Sequence, residues 1–124
     1  MFALMLAAAA AQAADAEPLY EDTDYGRQMT VAEIRRDVVG NSLVWNESGT
    51  RRARYVAPDG SFVGGRAALR WHFRDYDNLF CVDSGDPATS GCVQFLRQGN
   101  TITWRRKDGL IEVSATIAPG NAVR

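Results

Sequence analysis

From Asn41 to the C terminus the chain is a succession of short strand-like runs broken by turn formers, and this rhythm limits the fold more than any other feature. The runs cover residues 42–47, 52–57, 61–63, 66–74, 79–82, 92–97, 101–106 and 110–117. Turn signals at the spacing seen here are the mark of an antiparallel sandwich or barrel. The connections carry suitable chemistry. Pro58-Asp59-Gly60, Gly99-Asn100 and Asp108-Gly109 supply residues that tolerate the left-handed backbone of tight hairpins. Short links make sequence neighbours pair as an up-and-down meander, and about eight strands suffice to close a small barrel. The expected fold class is therefore mainly β, a small antiparallel up-and-down barrel or sandwich of about eight strands.

Period-two alternation assigns the faces. In residues 66–74, Ala67, Leu69, Trp71 and Phe73 point one way, toward the core, while Arg66, Ala68, Arg70, His72 and Arg74 point the other. Ile111, Val113, Ala115 and Ile117 alternate in the same manner against Glu112, Ser114 and Thr116. One short helix precedes the strands. Thr30 and Glu33 form a capping box, Met29 and Ile34 a hydrophobic staple, and Gly40 a stop, which predicts a helix over 31–39. Residues 14–29 are acidic, carry Pro18 and show no period, so they read as a flexible arm that Tyr20 and Tyr25 could pin to the domain. Residues 30–124 then form a single β domain.

The first residues bear on compartment. Phe2 to Ala11 is apolar and uncharged and leads into Ala11-Gln12-Ala13, a small-x-small cleavage pattern, although no Lys or Arg precedes it. Residues 1–13 are expected to be a signal peptide cleaved near Ala13, with Ala14-Asp15-Ala16 as a second site. The run is about half the length that spans a bilayer, so no integral membrane segment is expected after cleavage. The address would be the periplasm. There the two cysteines, Cys81 and Cys92, most simply pair as a disulfide across a hairpin over 79–97 whose loop is rich in turn formers.

The formal net charge is −1, which gives no general pull toward nucleic acid, but arginines concentrate in the middle of the chain. The face bearing Arg66, Arg70, His72 and Arg74, extended by Arg52 and Arg54 if their strand is a neighbour, is the candidate ligand-binding surface. Guanidinium forks match carboxylate or phosphate, so the partner would be an anionic small molecule or an acidic protein surface. The competing reading is a solvated face paired with Asp75, Asp77, Glu112 or the acidic arm. His72, the one histidine, would need a nucleophile and an orienting carboxylate from the Asp75 and Asp77 region to act as a base. Asp83 and Asp86 read as turn caps, and Trp45, Trp71 and Trp104 as core or, in a hollow barrel, pocket lining. No cofactor motif and no metal-ligand spacing is present in the sequence, which leaves a non-enzymatic binding or partner-modulating module as the preferred reading.

The Ala-rich leader, the segment Val39-Gly40-Asn41-Ser42-Leu43, the Pro58-Asp59-Gly60 turn, Trp71 ahead of Leu79-Phe80-Cys81, and Cys92 together resemble a group of uncharacterised small exported proteins of proteobacteria. That resemblance implies a periplasmic β domain of unknown activity. The expected shape is lipocalin-like, and it is also similar to the periplasmic lysozyme inhibitors, small disulfide-bearing barrels. The latter likeness implies inhibition of a cell-wall hydrolase, with residues 48–55 as the counterpart of the recognition loop.

Overall fold

The computed structural model describes residues 19–22 and 24–123, so the expected signal segment lies outside the described residues. Along the chain come β1 (Glu21–Asp22), β2 (Gly26–Gln28), α1 (Val31–Asp37), β3 (Ser42–Glu47), β4 (Thr50–Val56), β5 (Ser61–Val63) and β6 (Leu69–Arg74). They are followed by β7 (Leu79–Asp83), β8 (Gly91–Gln98), β9 (Thr101–Arg106) and β10 (Ile111–Ala118). From β3 onward each strand pairs antiparallel with its sequence neighbour, and β10 returns to β3 through Thr116 opposite Val44 and Ile117 opposite Leu43. Eight strands thus close into a barrel, which removes the sheet edges that an open meander would leave.

Alternation fills the interior. Leu43, Val56, Phe62, Phe80, Phe95, Ile102 and Ala115 are buried in one core, with Trp45, Leu69, Trp71, Phe73, Trp104 and Val113 packed against it. Phe80 links the aromatic residues, stacking on Phe95 at 4.7 Å and on Trp71 at 5.8 Å between ring centroids. The Trp71 indole donates to the Ala57 carbonyl at 2.8 Å, so its polar atom is satisfied at the core's edge. Leu69, Trp71 and Phe73 therefore face as the alternation requires. Ala67 does not, because β6 starts at Leu69 and residues 66–68 lie in an exposed bend. The reason is β5: it is three residues long, its ladder with β6 ends at Phe62 opposite Leu69, and the bend has no partner strand.

The helix closes one end of the barrel. The Thr30 hydroxyl accepts from the Glu33 amide while the Glu33 carboxylate accepts from the Thr30 amide, so the capping box is complete. Ile34 and Val38 are fully buried among the strands. Regular helix ends at Asp37, two residues before the expected limit, because the amides of Val38 and Val39 both turn back to the Ile34 carbonyl. Asp37 takes an ion pair from Arg97 of β8, and the Val31 amide donates to Asn78 Oδ1 at 2.8 Å in the β6–β7 turn. These contacts fix α1 across the end where β6 runs into β7.

The stretch expected as a flexible arm is docked over its described part. β1 and β2 form a hairpin that extends the sheet along the second half of β8, with Arg27 opposite Arg97 and Gln28 opposite Leu96. Gln28 is buried, its side-chain nitrogen donating to the Asp77 carbonyl at 3.0 Å. Gly26 has φ +97°, and a Cβ there would stand 1.9 Å from the Arg97 carbonyl oxygen, so the close approach of β2 to β8 requires glycine. Tyr20 does pin this segment, its ring lying 3.9 Å from the Arg105 guanidinium, whereas Tyr25 is exposed. Among the described residues no helix is long and apolar enough to cross a membrane.

Candidate functional site

In an up-and-down barrel alternate turns share an end, so the β3–β4, β5–β6, β7–β8 and β9–β10 connections gather opposite the helix. A cavity of about 910 Å³ opens there. Its inner wall is made by Trp45, Arg54, Phe62, Phe80, Val82, Val93 and Trp104, and its rim by residues 88–91 of the β7–β8 loop with Arg106, Asp108 and Glu112. Arg74, Cys92 and Lys107 also line it. Specific small-molecule sites are commonly clefts of about 300–1,000 Å³ with an apolar lining and few polar groups.

The polar groups of the inner wall are all donors. Arg54 stands opposite Leu43 and two residues before Val56, and both of those are core residues, so it projects to the inside of the barrel. Its guanidinium lies over the Phe62 ring at 5.5 Å, and a Cβ on Gly65 would come within 2.3 Å of Nη1, so glycine makes the space it occupies. Burial lowers the Arg54 pKa from its ordinary value, and the neighbouring Arg52 charge lowers it further. Arg54 Nη1 and the indole nitrogens of Trp45 and Trp104 are buried with no hydrogen-bond partner among the described residues. Trp104 meets Trp45 edge to face at 5.2 Å and lies 6.4 Å from Phe62, the ring over which Arg54 sits.

The structure divides the arginines expected on one face. β5 separates β4 from β6, so Arg52 and Arg54 are not beside Arg70, His72 and Arg74. Arg54 is inside, and Arg52 pairs with Glu47 at 3.7 Å near the mouth. Arg66 is in the exposed bend. Arg70 donates to the Asp59 carbonyl at 2.8 Å, and Arg74 makes a two-point pair with Asp77, at 3.0 and 2.7 Å, while lying over the Tyr76 ring. The Arg74 pair draws the Asp77 carboxyl below its ordinary range. Arg70 and Arg74 thus each have a local acceptor of their own.

His72 is exposed and stands opposite Cys81, and among the described residues no hydrogen bond ties it to a carboxylate or hydroxyl. Cys81 and Cys92 face each other across β7 and β8 and are disulfide-bonded. Asp83 accepts from the Gly85 amide at 2.8 Å and Asp86 from the Ala88 amide at 3.0 Å, which makes both of them turn caps. Residues 48–55 are not a loop: Ser48 and Gly49 form a tight turn and the remainder belongs to β4. The inward set was readable in part, since Arg52, Arg54 and Val56 share parity and Val56 is an obvious core residue. Comparison with known proteins adds no relative: no family model, no curated protein and no solved structure matches the chain.

Proposed function

We propose that this protein is a non-enzymatic binding module that holds a small molecule with an apolar body in the open end of its barrel, in the manner of a lipocalin-like calyx. The cavity carries this reading: one end of the barrel is closed by Ile34 and Val38, and the other opens on a floor of Trp45, Phe62, Phe80 and Trp104. Burying an apolar body there is worth roughly 25 cal/mol per Å² of surface removed from water. The Cys81–Cys92 bond supports export to an oxidising compartment, the periplasm in the sequence reading. An enzyme centred on His72 is the weaker reading: the nearby acid is Asp83 of the adjacent strand, and its carboxylate is engaged by the Gly85 amide and the Ser90 hydroxyl in capping the β7–β8 turn.

The test uses N-phenyl-1-naphthylamine, a neutral probe that brightens in apolar surroundings. Saturable binding at one site per chain is expected, and Trp104→Ala should weaken it about tenfold or more, as loss of an aromatic anchor does. A signal that never saturates, or one indifferent to Trp104→Ala, would overturn the proposal.

A further inference from the structure

Resting on that reading of the barrel mouth, we infer that the ligand is an organic carboxylate, its acid group taken by Arg54 with the indole N–H groups of Trp45 and Trp104 and its apolar body against the aromatic floor. The three nitrogens are the buried side-chain donors without a partner among the described residues, and all three belong to walls of one cavity. A buried donor left unpaired is costly, so three of them in one wall match a ligand that presents acceptors only. The other tryptophan provides the contrast, since Trp71 Nε1 already has the Ala57 carbonyl.

The charge balance selects an acid of charge −1. Among the described residues Arg54 makes no ion pair, whereas its neighbour Arg52 is held by Glu47 and Arg106 of the rim by Asp108 at 2.8 Å. Inside the mouth there is thus one uncompensated guanidinium, and its planar fork matches the two oxygens of a carboxylate. A phosphate monoester would bring up to twice the charge against that one cation. Acidic side chains of a protein partner would reach the exposed rim, whereas the unpartnered donors are buried on the inner wall.

The full chain is titrated with decanoate, decan-1-ol, decylamine and decyl phosphate, by calorimetry and by following the indole N–H signals. Decanoate should bind about tenfold or more tightly than the alcohol and the amine, a charge-assisted contact being the difference. The Trp45 and Trp104 indole signals should move while that of Trp71 stays. Arg54→Gln should bring decanoate to the level of decan-1-ol. Gly65→Ala, which displaces the guanidinium without removing its charge, should erase part of the preference in a chain whose melting is nearly unchanged. Equal binding of all four probes, or tightest binding of decyl phosphate, overturns the carboxylate assignment and leaves the cavity reading standing. Binding of none of them overturns both.

Discussion

Trp45 on β3 and Trp104 on β9 meet edge to face with ring centroids 5.2 Å apart, although β10 lies between their strands in the sheet. The contact is made across the inside of the curved wall, where side chains two strands apart converge. It builds the aromatic floor of the mouth and leaves both indole nitrogens without an acceptor among the described residues.

Trp71 is the aromatic residue whose loss should harm the fold most directly, since it stacks on Phe80, meets Phe73 at 5.1 Å and satisfies the Ala57 carbonyl. Trp71→Ala should cost about 3 kcal/mol or more in urea unfolding, from lost contacts and the space left behind. A change below about 1 kcal/mol would contradict its place in the core.

Asp37 makes stability depend on acid. Hydrogen bonds from Arg36 and, beyond the opposing effect of burial, from Arg97 hold its carboxyl well below the usual range. A carboxyl depressed in the folded state stabilises fully above its unfolded pKa, about 3.9, and loses that contribution as the pH falls through the folded value. Melting temperature should therefore fall as the pH drops below about 4, more steeply in the native chain than in Asp37→Asn. Parallel pH profiles for the two proteins would show that the helix does not depend on this pair.

The disulfide restrains a short loop, its cysteines being 11 residues apart. Replacing both Cys81 and Cys92 by alanine should lower stability by about 3 kcal/mol in the chain-entropy account. Alkylation before and after reduction checks the bond itself, and free thiols in protein recovered without reductant would contradict it.

Gly26→Ala addresses the N-terminal hairpin. Its φ of +97° and the Arg97 carbonyl at 1.9 Å from the would-be Cβ leave no room for a side chain. The barrel should persist while β1 and β2 come away from β8. Hydrogen exchange should report faster loss at the Gln28 and Met29 amides, which now bond the Tyr20 and Phe95 carbonyls at 2.8 and 2.7 Å. Unchanged protection at both amides would refute the tight approach.

Much of the architecture was legible because local rules and the final fold agree. The capping box at Thr30 and Glu33, the Pro58-Asp59-Gly60 turn and the alternation through Leu69, Trp71 and Phe73 each act over a few residues, so a linear reading finds them. Local pattern misleads where a partner strand decides. Arg66 to Ala68 alternate as a strand does but have no ladder to join, and Gly26 to Gln28 look unstructured until β8 supplies one.

The sequence by itself determined a mainly β chain with short antiparallel connections and a cysteine pair placed to face across one hairpin, since period, turn chemistry and spacing are local properties. Only the tertiary structure decided which arginine matters. Closure of β10 on β3 defines an inside, and the pairing of Arg54 with Leu43 places its guanidinium there, while Arg70 and Arg74 find the Asp59 carbonyl and Asp77 on the outside. Charge along a chain states how many cations there are. Whether one is left without a counterion inside an apolar wall depends on which strands meet, and that is settled only when the barrel closes.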